Sequence, residues 1–456
     1  MRSTTGRWLV GILTLVLTTS PILLQACDDD DGTAPPMSTR FRLRVENVST
    51  VFPFLKSGVF ATPVGAADPG PLLPGSAYEF DFTAPPGMRL SFATMFVPSN
   101  DFFYGPSEEG IPLYDDGTPI QGDITDRILL WDAGTEVNQE PGLGADQPMR
   151  QAGPDTGADD PNSAVRIAPD DFGNLPAVAD VIEVTITPGA NGRFTVRIEN
   201  VSTPNTLMTS DGGSQPVPLA PGVFVVHAMD APLFTEGAAD PGEGLEALAE
   251  DGVAGPLGMS LAERTGLTSP LAPGVFVVHD EPAPLFTTGQ PDRGEGLEAL
   301  AEDGVPSMLA NSFTADEVGA SGAFTTPVGA NGPAPAFPGQ AYEVEFDAVP
   351  GQALSLATML VQSNDLFYAP GEAGIPLFVG DDPVSGEVTD QILLWDAGTE
   401  VNQEPGVGFD QAPRQAGPDT GPEENAPVRT ISMVNDGYDY PAVEDVIRVT
   451  VDPMMP

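Results

Sequence analysis

Asp132 and Glu136 lie four residues apart across an Ala-Gly-Thr turn, and the same arrangement returns as Asp396 and Glu400 inside a second copy of "WDAGTEVNQEPG". Carboxylates spaced this way across a tight turn can converge on one point. A hard cation such as Ca²⁺ needs about six to eight oxygen ligands, carboxylates and backbone carbonyls together, and a loop at a strand end offers both. A third acid follows another apolar strand in each copy, Asp101 in "PSND" and Asp365 in "QSND". Spacing alone leaves an alternative open, because Asp and Asn are common in turns for the hydrogen bonds they make to their own backbone.

Other chemistries find less support. His227 and His279 are the two histidines, at equivalent ends of two "PGVFVVH" stretches. Together on one sheet they would suit a transition metal; a polar end to each strand accounts for them more simply. The GxSxG nucleophile pattern and the zinc-binding helix pattern are absent from the sequence, so no side chain is singled out as a nucleophile. The expectation is a non-enzyme. The alternative is a carbohydrate-active hydrolase working through its acidic loops, since such enzymes need two opposed carboxyls.

The charge points the same way. The chain has 17 basic and 66 acidic residues, a net −49. Such a surface repels nucleic acid and anionic membrane and gathers cations.

Internal repeats set the layout. Residues 57–157 match 321–421 at a constant offset of 264 without a gap. Both copies close alike, in "PAVADVIEVTI" and "PAVEDVIRVTV". A second pair, "FRLRVENVST" (Phe41–Thr50) and "FTVRIENVST" (Phe194–Thr203), opens each unit. A third pair begins at Leu219 and Leu271, and each member runs on to "GEGLEALAEDGV".

Phe41, Leu43 and Val45 alternate with charged neighbours, as do Tyr78, Phe80 and Phe82, and Ile182, Val184 and Ile186 alternate with Glu183 and Thr185. This period of two, punctuated by 51 Gly and 50 Pro, predicts half-buried antiparallel strands. "PGVFVV" reads as a strand buried on both faces. "GLEALAEDG" predicts a short helix, with Leu245, Leu248 and Ala249 on one face and Gly252 as its cap. The expected fold is all-β: antiparallel sandwiches in tandem with one or two short helices.

The N-terminus carries an address. Arg2 and Arg7 precede the apolar run Trp8–Leu17, which is too short to span a membrane comfortably, and then comes "LLQAC". This resembles a bacterial lipoprotein signal, which implies cleavage before Cys27 and lipid on that residue, the single cysteine of the chain. The expected product is exported and held in the bacterial cell envelope by its lipid, with residues 27–40 as a flexible acidic tether.

The strand "LSFATMFVPSND" with its partner "LSLATMLVQSND", the "LLWDAGTE" motif, the "RQAGPDTG" segments and "PGVFVVH…APLFTTG…GLEALAEDG" together resemble the spondin N-terminal domain. The resemblance covers nearly all of 194–452, and 41–187 without its middle. It implies a sandwich with one Ca²⁺ held by loop carboxylates: Asp101, Asp132 and Glu136 in the first copy, Asp365, Asp396 and Glu400 in the second. Animal members end the motif in Asp, so Glu136 and Glu400 carry an extra methylene that changes how they would reach an ion. They also carry disulfides, which this chain lacks. The function so implied is a lipid-anchored binding or adhesion module with a protein or glycan ligand.

Domain boundaries follow from repeat order: signal 1–26, tether 27–40, a first sandwich over 41–189 lacking its middle module, and a second over 194–453 holding modules 219–252 and 271–304. A first sandwich without its module would expose a sheet edge. One remedy is for the module at Leu219–Gly252 to cross over and complete it. That arrangement requires the strand around Val223–Val226 to pair or pack with residues below about 190.

Overall fold

The computed structural model describes residues 38–229, 231–282, 284–314 and 318–454. The expected signal over 1–26, Cys27 and most of the expected tether lie outside the described residues.

The protein is mostly β, with 35% of its residues in strands and 11% in helix. The helices exceed the one or two expected. Among the described residues α1 (Leu245–Asp251), α2 (Gly255–Glu263), α3 (Leu297–Asp303) and α4 (Ser307–Ser312) are joined by a single turn at Val443–Val446. The α1 prediction holds in detail. Leu245, Leu248 and Ala249 are buried, and Gly252 sits left-handed at φ 68°, its N–H closing onto the helix carbonyls.

The sheets do not divide where the repeat order puts the boundary. The opening strand Thr39–Asn47 pairs antiparallel with Ala341–Ala348 on one side and Ile447–Pro453 on the other. It therefore belongs to the C-terminal sandwich. The second opening strand, Arg193–Asn200, lies between Ile182–Pro188 and Ala77–Thr83. The expected first sandwich over 41–189 and second over 194–453 are thus corrected. One sandwich is contiguous, from Phe54 to the end of α2, and is nested inside the other, which consists of 39–47 and the chain from Leu271 onward.

The crossover condition is met. The module strand Leu219–His227 runs between Phe54–Phe60 and Arg89–Phe96, with Val223 opposite Val59 and Ala93. Its counterpart Leu271–His279 takes the same place between Ala320–Phe324 and Ala353–Leu360. Each sandwich therefore owns one opening strand, one module and one long segment.

A local signal explains the nesting. Pro188 and Arg193 are joined by "GANG", with Asn191 at φ 56° and Gly192 at φ 71°. An Asn-Gly between two alternating strands is a strong hairpin signal, because both positions accept positive φ. The four-residue link makes the pairing local, so Arg193–Asn200 docks beside the strand just before it. The buried Asn200 then ties its sandwich together, donating from Nδ2 to Leu72 O and Val217 O, both at 2.8 Å. Asn47 repeats this in the outer sandwich, to Ser269 O and Ala336 O, both at 2.9 Å.

Each unit has three layers. In the inner sandwich a four-stranded sheet faces a seven-stranded one, and Phe80, Phe82, Phe194, Phe224 and Val226 fill the space between them. The other face of the larger sheet, with Val223, Val225 and Trp131, is covered by Leu245, Leu248, Leu257 and Leu261 of α1 and α2. The strand is buried on both faces, as its continuous apolar run requires.

Candidate metal centre

The larger sheet and α1 meet at the acidic loops. Asp101 ends the turn between Arg89–Phe96 and Phe102–Gly105, and Asp132 ends Leu129–Asp132, the strand paired with Phe102–Gly105. Asp101 Oδ2 accepts the backbone N–H of Thr135 at 3.1 Å and of Glu136 at 3.2 Å, folding the Ala-Gly-Thr turn over itself. Asp101 Oδ1 is buried and has no hydrogen-bond partner.

Asp132 is differently occupied. Its Oδ1 accepts the Gly134 N–H at 2.7 Å, and its Oδ2 accepts Asn138 Nδ2 at 2.9 Å and faces Arg166 at 2.7 Å. Asp396 repeats the pattern with Gly398, Asn402 and Arg429. Each is a buried, paired carboxylate with both oxygens committed to protein donors, and burial raises both carboxyls in spite of the arginines beside them.

Glu136 turns the other way. Its Oε1 accepts the Gly157 N–H at 2.7 Å, and its Oε2 is buried without a partner. The backbone comes so close here that a Cβ on Gly157 would lie 2.1 Å from the Glu136 carboxyl carbon. Gly157 closes the "RQAGPDTG" loop, and that loop brings in Asp155, left-handed at φ 50°. Gln151 Nε2 fastens the same loop to α1 by donating to Asp251 Oδ1 at 2.6 Å. The carboxylates that converge are therefore Glu136, Asp155 and Glu250, whose ligand oxygens all lie within 4.8 Å of one another. In the outer sandwich Glu302 and Asp419, the counterparts of Glu250 and Asp155, converge with Glu298, the counterpart of Glu246, in place of Glu400.

The structure thus gathers the expected residues only in part. Of Asp101, Asp132 and Glu136, only Glu136 belongs to the converging group of the inner sandwich, with Asp101 beside it. Of Asp365, Asp396 and Glu400, none belongs to the group formed by Glu298, Glu302 and Asp419, although Asp365 keeps an unpartnered buried Oδ1. Glu400 is fixed by the Gly421 N–H at 2.8 Å and by Asn364 Nδ2 at 3.2 Å.

Sequence reasoning missed Asp155, Glu250 and their counterparts. The signals were there. Asp155 lies within a segment singled out for its resemblance, and Glu250 follows Ala249 on the helix surface next to the apolar face. Glu250 is only 2% exposed.

The electrostatics follow from this crowding. Burial, reinforced by the charge of Asp132, pushes the Asp101 carboxyl up to about 8. Burial, with the charges of Glu136, Glu246 and Asp101 adding to it, pushes Glu250 up to about 8. Asp365 and Glu302 are raised to about 8 for the same reasons. Glu136 and Glu400 are raised as well, by burial first. An all-oxygen set of carboxylates, partly lacking donors, suits a hard cation such as Ca²⁺ and not a soft or imidazole-seeking metal.

The histidines do not form a metal pair. His227 Nε2 meets Ser91 Oγ at 2.9 Å in the inner sandwich, and His279 Nε2 meets Ser355 Oγ at 2.9 Å in the outer one. Each Nδ1 meets a backbone carbonyl, of Met229 and Glu281 respectively, so each ring serves as a buried polar end to its strand. Trp131 packs in the core, with its ring 4.7 Å from that of Phe234 and its Nε1 donating to Pro106 O at 3.1 Å.

A separate cleft of about 1010 Å³ opens where 48–56 and 265–267 cross between the sandwiches, lined by Phe52, Lys56, Glu404, Tyr438, Tyr440 and Arg448 among others. No described helix is long and apolar enough to cross a membrane. The chain matches no protein-family model and no curated protein.

Proposed function

We propose that the protein is a calcium-dependent binding or adhesion module of the bacterial cell envelope, exported and held by lipid on Cys27, and built from two spondin-like sandwiches. The observation that carries the calcium part is the buried carboxylate oxygen without a donor, Asp101 Oδ1 and Glu136 Oε2 in one sandwich and Asp365 Oδ1 in the other. Leaving such groups bare costs about 1–3 kcal/mol each, and more for charged ones; a cation removes that cost. The motifs "LLWDAGTE" and "RQAGPDTG" support the spondin likeness, and "LLQAC" supports the anchor. The aromatic and charged cleft around Tyr438 and Tyr440 is a surface on which a glycan or peptide ligand would rest.

A glycan and protein binding screen, run with Ca²⁺ and with chelator beside a glycan-hydrolysis screen, tests this reading. Calcium-dependent capture without turnover is the expected result. Turnover that disappears in Asp101→Asn protein of unchanged fold would replace the binding role with a hydrolase. Unchanged melting in millimolar Ca²⁺ would remove calcium from the proposal.

A further inference from the structure

We infer that the cleft between the sandwiches receives an extended basic peptide from a partner protein, in the place that a hairpin of the chain itself fills in the inner sandwich. The inference rests on the binding role proposed above and names the class of ligand.

The internal repeat shows how the cleft arises. Between Thr203 and Pro218 the inner sandwich carries a short hairpin, Leu207–Met208 paired with Ser214–Gln215. Between the matching residues Thr50 and Pro270 the outer one carries the whole inner sandwich. The hairpin is fastened at its tip. Ser210 donates its N–H and its Oγ–H to the Glu140 carboxylate, both at 2.6 Å, and Asn174 Nδ2 donates to Met208 O at 3.0 Å. The repeat equivalents of Glu140 and Asn174 are Glu404 and Asp439, and both line the cleft.

Only the base of the hairpin has been replaced. A Cβ on Gly142 would meet Leu207 at 3.0 Å, and one on Gly406 would meet Leu267 at 2.6 Å and Leu55 at 3.8 Å. Leu55 and Leu267 therefore do the packing of Leu207. The cleft of about 1010 Å³ stands over Glu404 and Asp439, where the inner sandwich has its hairpin tip. A place that one copy fills with extended backbone suits extended backbone in the other.

The lining says which peptide. Gly173, Asn174, Leu175 and Ala179 of the inner sandwich are Tyr438, Asp439, Tyr440 and Glu444 in the outer one. The two cations of the cleft are both taken, Lys56 by Glu404 and Arg448 by Glu46 and Glu387. Asp439, Glu444 and Asp445 are exposed, with no basic side chain paired to them among the described residues. Burial, then the charges of Asp436 and Glu404, raise the Tyr438 phenol, so the ring stays neutral. Neutral rings beside uncompensated carboxylates recognise arginine and lysine side chains. The chain's own tether, with Asp28–Asp31, has the wrong sign for the place.

Fluorescence anisotropy of the full chain with a labelled octapeptide of alternating Arg and Thr tests the assignment, beside an uncharged hexasaccharide. Wild type should bind the peptide, and Asp439→Asn/Glu444→Gln/Asp445→Asn should weaken it about tenfold. Tyr438→Ala changes no charge and should weaken it about threefold. The control Asp347→Asn/Asp381→Asn/Asp382→Asn removes as much charge from exposed acids at the other end of Thr39–Asn47, and should stay within about twofold of wild type. Melting checks that every variant folds. Equal losses in the two triple variants would show general attraction to an acidic surface and overturn the cleft. Binding of the hexasaccharide and not the peptide, lost in Tyr438→Ala, would overturn the peptide and make the cleft a glycan site. Binding of neither probe would overturn the cleft as a ligand site, and ligands from the wider screen that Tyr438→Ala still captures would leave the binding role standing.

Discussion

The inner and outer sandwiches are built from the same three kinds of piece in different covalent order. The inner one reads long segment, opening strand, module, and runs without interruption from Phe54 to Glu263. The outer one reads opening strand, module, long segment, with the whole inner sandwich inserted after its first strand. Yet Asn47 and Asn200, Asp132 and Asp396, and Glu250 and Glu302 occupy matching environments. Packing and hydrogen-bond ladders depend on which surfaces meet, and chain order matters only through the length of the connections. The difference between the two sandwiches lies in how each depends on its opening strand.

That dependence offers the largest test. A fragment covering 54–268 contains every strand of the inner sandwich and should fold alone, giving a dispersed NMR spectrum and a cooperative melt. A fragment covering 269–454 lacks Thr39–Asn47, the strand that joins Ala341–Ala348 to Ile447–Pro453, and should remain unfolded or aggregate through the bare edges. Equal behaviour of the two fragments would break the comparison.

Calcium should affect both sandwiches alike. At a free concentration about 100 times Kd, each site adds about 2.7 kcal/mol, which raises the Tm of a unit of this size by roughly 5–10 °C. Differential scanning calorimetry with and without chelator measures it.

The pH dependence has a definite sign. Asp101, Asp365, Glu250 and Glu302 have folded values near 8, well above those of the unfolded chain. Between about pH 4 and 8 the folded chain therefore holds more protons than the unfolded one, and stability falls as pH rises. In chelator, Tm should drop from pH 5 to pH 8; in Ca²⁺ the drop should shrink or vanish. A flat profile in chelator would contradict the buried, unpaired state of these acids.

Gly157→Ala and Gly421→Ala sharpen the comparison locally. A Cβ there meets Glu136 at 2.1 Å or Glu400 at 2.4 Å, so each carboxyl must move. Calcium affinity at the inner site should fall about tenfold in Gly157→Ala, read by calorimetry, whereas Gly421→Ala moves Glu400, which lies outside the outer group, and should leave both affinities unchanged. The smallest effect is expected where the sandwiches touch. Lys56 and Glu404 form a half-exposed ion pair, and Lys56→Ala should change stability by less than about 1 kcal/mol in denaturant titration.

Local structure was legible because it depends on neighbours in the chain. Alternation gave the strands at Phe41–Val45 and Tyr78–Phe82, and Leu245, Leu248, Ala249 and Gly252 gave α1. The two-faced burial of "PGVFVV" followed from its unbroken apolar run. The "GANG" hairpin between Ile186 and Phe194 was equally legible, and reading it would have placed the second opening strand in the inner sandwich. The acidic loops were visible as loops, but Asp132 and Glu136 looked equivalent, since nothing nearby in sequence reveals that Arg166 claims one and α1 faces the other.

The sequence by itself determined the class of fold, the number of each kind of piece and the presence of crowded acids at two strand ends. Tertiary structure decided which copy of each piece joins which sandwich, and which carboxylates share one space. The two opening strands are nearly identical in side-chain pattern, so their own surfaces cannot choose between two nearly identical slots. The short link of residues 189–192 makes closing one hairpin cheap in chain entropy, and the strand Thr39–Asn47 takes the slot that remains. Glu250 meets Glu136 for a related reason: only the packing of α1 on Val223, Val225 and Trp131 brings together acids more than a hundred residues apart.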